Sequence, residues 1–212
     1  QGVNLLAGRA RTQHFFPLTS GELAEEFVLA QVLQVGALPA IHHQKMDAIQ
    51  AELYLNSYVS TYLQEEVYQE ALTRNLGNFS RFLESASLSQ GSVVNASNIA
   101  RDAGVERKTV QNYFTILKDL RIAFMLPFFR TKAKRDRLHH EKLYFFDTGV
   151  CRVLRPKALL DRRDEWEGLA MESLCFQELL ALNEYLSWGY ALSYWRTRSG
   201  LEVDFVLNAE RG

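Results

Sequence analysis

Apolar residues recur at helical spacing through the first 120 positions and form short strand-like blocks after them. In GELAEEFVLAQVLQVG (21–36), Leu23, Phe27, Ala30 and Leu33 share one face of a 3.6-residue period, and Gly36 suits the stop, so the pattern predicts a helix. LPAIHH (38–43) reads as a loop. Asp47 can cap a second helix reaching roughly Glu70, with Leu55, Tyr58, Val59, Tyr62 and Leu63 on its apolar side. Leu76 to Leu88 predicts a third, carrying Phe79, Phe82 and Leu83. A turn-rich break, SQGSVVNAS, precedes two short helical patterns over 95–120, separated by Gly104. IAFMLPFF (122–129) reads as a strand broken by Pro127, and LYFFD (143–147) as a short strand ending in an acid. Residues 148–165 read as a loop with a short helix, and 166–186 as a long amphipathic helix. YALSYWRT (190–197) and LEVDFVL (201–207) read as two strands around the turn RSG.

The stretch NASNIARDAGVERKTVQNYFTILKDL is the most distinctive local pattern. Asn95 or Ser97 can cap its first helix, and small Ala100 allows a close crossing. Gly104 supplies the left-handed turn, and Val105 plugs it into the core. Val110, Tyr113, Phe114, Leu117 and Leu120 line one side of the second helix; Arg107, Lys108, Gln111, Asn112 and Thr115 line the other. This is the helix-turn-helix arrangement, whose second helix enters the major groove by its N-terminal residues. Arg107 and Lys108 can reach phosphate or guanine, and Gln111 can pair with adenine. The strand at 122–129 and the basic loop 130–142 would then form a wing. That loop carries Arg130, Lys132, Lys134, Arg135, Arg137 and Lys142 against Asp136 and Glu141, a net charge of +4. Glu106 is a poor cap, and its charge opposes phosphate.

Charge and composition change this picture only locally. The 212 residues are 47% hydrophobic and 23% charged, with a formal net charge of −1. Those are ordinary globular values and give no global argument for nucleic-acid binding. Residues 22–70 are net −7, a surface suited to a basic partner or to solvent. Cys151 and Cys175 lie among apolar neighbours without a CxxC partner, as buried free thiols of a cytoplasmic protein. No apolar run reaches the roughly 18 residues a membrane span needs. A start at Gln1 rather than methionine reads as a fragment or a processed chain. No GxxxxGK[ST] loop occurs, and neither His42-His43 nor His139-His140 has zinc spacing.

Candidate chemistry lies in the second half. Glu172 falls inside the long helix, Asp204 inside LEVDFVL, and Asp147 at a strand end. A helix carboxylate facing a strand carboxylate is a set that could hold Mg²⁺ and activate water against a phosphodiester. Such a site needs a further acid and a lysine. After LEVDFVL only NAERG remains, with Glu210 and no lysine. The plain alternative pairs Glu172 with Arg196 or Arg198, and Asp204 with an arginine at the helix–sheet seam.

LLAGRARTQHFFPLTSGELAE (5–25), YLNSYVSTYLQEEV (54–67), NLGNFSRFLESAS (75–87), the helix-turn-helix stretch 94–129, KLYFFDTGV (142–150), EGLAMESLCFQELL (167–180) and YWRTRSGLEVDFVL (194–207) carry a resemblance. Together they resemble the C-terminal part of prokaryotic P-loop ATPases of the AAA+ type, a portion called DUF4143. The resemblance implies an α+β chain in four parts. Residues 1–21 would be the tail of a missing ATPase domain, 22–93 a helical region, 94–141 a winged helix-turn-helix with a basic wing, and 142–212 a truncated restriction-endonuclease-like α/β domain. It implies ATP and Mg²⁺ as cofactors of the parent rather than of this fragment. Arg9 would be a nucleotide-sensing or structural arginine, Glu172 the helix acid and Asp204 the first strand acid, with an acid-x-lysine strand beyond residue 212. The leading expectation is a non-catalytic module that binds double-stranded DNA or a partner and is coupled to an ATPase. The alternatives are part of a Mg²⁺-dependent nuclease, and an interaction or self-association module without DNA contact or membrane.

Overall fold

The computed structural model describes residues 13–63, 75–129, 141–156, 163–197 and 199–209. Helices dominate them, with two small antiparallel sheets, in keeping with the α+β expectation. The helix expected over 21–36 is broken. Helix α1 (Ser20–Leu23) is one turn, started by a capping box in which Thr19 and Glu22 satisfy each other's amides. A 3-10 turn (Ala24–Glu26) follows, with Ala24 at φ 47°, and α2 covers only Leu29–Val35. Gly36, at φ 75°, does end that helix. LPAIHH is not a loop: Pro39–His43 form α3, with proline in the first turn, where a missing N–H costs nothing.

Helix α4 (Ala48–Ser57) starts at Asp47, whose carboxylate accepts from Gln50 N at 2.8 Å. It runs on as a wider π-helical stretch, Tyr58–Leu63. The rest of the helix expected to reach Glu70 lies outside the described residues, as do Arg9, the run 130–140, Arg198 and Glu210.

Helices α5 (Leu76–Ser87), α6 (Ala96–Ala103) and α7 (Arg107–Asp119) follow the predicted pattern. Asn95, not Ser97, caps α6, accepting from Ser97 N and Asn98 N. Gly104 takes the left-handed conformation at φ 67°, and Val105 N donates back to Ala100 O. Helix α7 starts at Glu106 with no side-chain cap. Its inner face meets α5 through aromatic edges: Phe79 on Tyr113 at 5.1 Å and Phe82 on Phe114 at 5.0 Å between centroids. Each such pair contributes about 1 kcal/mol beyond its buried area.

Strand β1 (Ala123–Leu126) stops at Pro127 and pairs antiparallel with β2 (Lys142–Phe145), from Ala123 opposite Phe145 to Leu126 opposite Lys142. The other edge of β2 is taken by residues 91–92, through Gly91 N to Leu143 O and Leu143 N to Ser92 O. With both edges paired, all four residues of β2 are buried. Helices α8 (Thr148–Leu154) and α9 (Arg163–Tyr185) lead to a hairpin of β3 (Tyr190–Arg196) and β4 (Glu202–Ala209). Tyr194 joins the hairpin to the first sheet, donating to Pro127 O at 2.9 Å and accepting from Phe129 N.

The larger apolar cluster runs from Leu23 and Ile41 through Phe79 and Leu117 to Trp166 and Leu174, drawing on residues from both sides of 130–142. A smaller cluster of Leu126, Tyr144, Phe176 and Tyr194 lies under the hairpin. Cys151 is buried in the first cluster, but Cys175 is exposed, on the outer side of α9, contrary to expectation. No helix among the described residues is long and apolar enough to cross a membrane.

Candidate functional site

Lys142 opens β2, and strand alternation turns its side chain toward α9 and the hairpin. Only 5% of that side chain is exposed. An ammonium has three donors, and here each finds a carboxylate. Nζ lies 3.2 Å from Glu172 Oε1, 3.1 Å from Asp204 Oδ1, and in contact with Glu202 Oε1. The ring of Tyr194 lies 5.4 Å from the ammonium, within cation–π range. Tyr144, two residues along β2, donates its hydroxyl to the same Glu172 oxygen at 2.5 Å. Phe176, one turn after Glu172, stacks on Tyr144 at 4.2 Å and sets the depth of α9 against the strand. Arg196 reaches the second oxygen of Glu202 at 3.4 Å from an exposed position.

The electrostatics follow from this enclosure. Burial pulls the Lys142 ammonium toward neutrality, but hydrogen bonds to Glu202, Asp204 and Glu172 outweigh it and hold its pKa above the ordinary lysine value. Burial first, and then the bond to Glu172, push the Tyr144 hydroxyl far above the usual phenol range, so it stays a donor.

The predicted acids Glu172 and Asp204 are therefore brought onto one point, although not as either expectation had it. The plain alternative gave them arginine partners; among the described residues both pair with Lys142, and Arg196 goes to Glu202. Lys142 had been counted with the basic run, of which it is the last residue; it turns inward instead. As an acid next to a turn, Glu202 gave no signal in the sequence. Mg²⁺ does not fit the arrangement as it stands. The facing oxygens of Glu172 and Asp204 are occupied by the ammonium, and with it in place the described residues include no group of three or more His, Cys, Asp or Glu that could hold a metal.

Asp147 does not join them. It is 1% exposed and ties two backbones together. Its Oδ1 accepts from Val150 N at 2.9 Å, capping α8, and its Oδ2 accepts from Ala37 N at 2.7 Å, just past α2. Burial is the largest influence on it and pushes its carboxyl up to about 6, against the lowering effect of the amides it accepts from. The next residue, Thr148, donates to Val32 O at 3.0 Å, and Trp166 Nε1 donates to Leu33 O at 2.9 Å. Three side chains thus hold the last carbonyls of α2 and the turn after it. Gln90 is a further buried residue without a sequence signal: it accepts from Phe145 N at 2.8 Å and donates to Ser173 at 2.9 Å, locking β2 to α9.

On α7, Arg107, Lys108, Gln111 and Asn112 are all exposed, together with Thr115. They lie opposite Val110, Tyr113, Phe114 and Leu117, which face the core. The wing residues Arg130, Lys132, Lys134, Arg135 and Arg137 lie outside the described residues, as does Arg9. His42 is buried and bonds Gly36 O through Nε2 at 3.0 Å, a structural role.

A family model described as a domain of unknown function, DUF8612, matches residues 26–161, and one described as DUF4143 matches residues 167–212. No curated protein and no solved structure matches the chain.

Proposed function

The chain belongs to the DUF8612 family, and we propose that it is a double-stranded-DNA-binding module, non-catalytic in itself and coupled to an ATPase. The observation that carries this reading is the outer face of α7. Four side chains able to contact DNA, Arg107, Lys108, Gln111 and Asn112, stand exposed on the N-terminal half of the second helix of a Gly-turned pair. The antiparallel β1–β2 pair follows that helix in the order a winged helix requires, with the basic run 130–140 between its strands. Arg107 and Lys108 contact phosphate or guanine, Gln111 and Asn112 pair with base edges, and the run supplies further phosphate contacts. The ATPase coupling rests on the resemblance of the chain's segments to the C-terminal parts of AAA+-type ATPases. The DUF4143 match over 167–212 supports the final part of that resemblance.

The test is a fluorescence anisotropy titration of a labelled DNA duplex at several salt concentrations. The reading expects binding at ~50 mM salt that weakens steeply as salt rises, since each phosphate contact adds about 0.9 to the slope of log K against log salt. Reversing both Arg107 and Lys108 to Glu lowers that slope by about two if both contact phosphate. Binding that ignores the double reversal moves the contact elsewhere, and no binding at low salt ends the proposal. No hydrolytic step is assigned to Glu172 and Asp204, because Lys142 stands between them.

A further inference from the structure

We infer that the ammonium of Lys142 is the resident cation of the acid cluster, standing where a divalent ion would sit, so that the cluster binds no divalent ion while Lys142 is present. The inference is independent of any DNA contact by α7.

Three features of the geometry carry it. Glu172 from α9, and Glu202 and Asp204 from β4, converge on one nitrogen from separate elements, with oxygens at 3.2 and 3.1 Å for the two longer contacts. Carboxylates gathered like this are the ligand type that hard divalent cations select. The lysine uses all three of its donors on them and is closed over by the Tyr194 ring, leaving no donor toward solvent. A second cation near the same oxygens would meet a fixed positive charge, itself only 5% exposed, at a separation well inside the roughly 8 Å over which physiological salt screens. Replacing the lysine by an uncharged side chain removes that repulsion and leaves Glu172, Glu202 and Asp204 around the vacated position, with Tyr144 still bonded to Glu172.

Terbium(III), a hard oxygen-seeking ion, reads this directly. Excited tyrosines sensitise its luminescence at short range, and Tyr144 and Tyr194 both contact the cluster. The wild-type chain is expected to give no saturable signal below ~1 mM terbium. Lys142→Met gives a saturable signal at least ~10-fold tighter, Lys142→Arg restores the wild-type silence, and Asp204→Asn in the Lys142→Met background removes the gain. If Lys142→Met does not fold alone, recovery of its cooperative thermal transition by added Ca²⁺ counts as the same gain. Two results overturn the inference. One is a saturable wild-type signal lost on Asp204→Asn, which would mean that metal and lysine share the cluster. The other is a Lys142→Met protein that neither gains the signal nor is restored by Ca²⁺.

Discussion

Lys142 and Asp147 sit five positions apart in KLYFFD and are buried for different reasons, so their substitutions separate. Removing the Lys142 charge leaves three acids facing one another. Lys142→Met is expected to cost about 3 kcal/mol, the low end for breaking a buried ion pair, because water still reaches Asp204. Asp204→Asn, at a side chain 51% exposed, is expected to cost less than about 1 kcal/mol. Urea midpoints of the two variants check the order, and equal costs would show that the ammonium is not the centre of the cluster. Asp147 adds a pH dependence. Its carboxyl is pushed up to about 6, so between its ordinary value near 4 and that point the unfolded chain has released a proton that the folded chain keeps. Stability from this group is complete below that window and falls as pH rises through it, by about 3 kcal/mol at most. Asp147→Asn lacks the effect, so the stability gap between wild type and variant is larger at pH ~4 than at pH ~7. A gap that instead widens with pH would contradict the sign.

Two glycines show how differently elements depend on the residue lacking a side chain. A Cβ on Gly149, in the first turn of α8, would stand 2.2 Å from Val35 O, a backbone atom that cannot rotate away. Gly149→Ala forces α8 off α2 and is expected to cost about 3 kcal/mol. A Cβ on Gly104 meets nothing within 4 Å, so Gly104→Ala carries only the strain of its φ of 67°, about 1 kcal/mol. Thermal melts rank the two, and a Gly104→Ala loss as large as that of Gly149→Ala would mean that turn geometry outweighs helix contact. The same contrast explains what could be read from the sequence. The α6–turn–α7 unit is local: Asn95, Gly104 and the apolar face of α7 declare it within 26 residues. The break at Ala24 and the helix at Pro39 were hidden because periodicity counts faces and overlooks a capping box or a first-turn proline. The partners of Lys142 were hidden for another reason. Lys142 ends a basic run, so counting charge put it in the wing, whereas its β2 position turns it inward toward residues 30 to 62 places away. The acids Glu172 and Asp204 stood out as carboxylates among apolar neighbours; strand alternation could not say which cation they would meet.

At the scale of the whole molecule, residues 142–148 act as a tie with two separate ends. The Lys142 end fastens the β1–β2 pair to α9 and β4, and the Asp147–Thr148 end fastens α8 to the close of α2 and the start of α3. Between them, β2 is paired on both edges, so the segment is held along its length. The face of α7 proposed to meet DNA touches neither end. Its support comes from α5, α6 and β1. Loosening one end should therefore open its own neighbourhood, because local openings follow the contacts that are lost. In native-state hydrogen exchange, Lys142→Met is expected to speed the amides of β3 and β4 by about tenfold or more for each 1.4 kcal/mol of local stability lost. Asp147→Asn should instead release Ala37 and the amides of α2 and α3. In both variants the core-side amides of α7 should keep their wild-type rates relative to global unfolding. Faster exchange spread evenly over all elements in either variant would mean one cooperative unit, and the DNA-facing helix could not then be altered independently of the acid cluster.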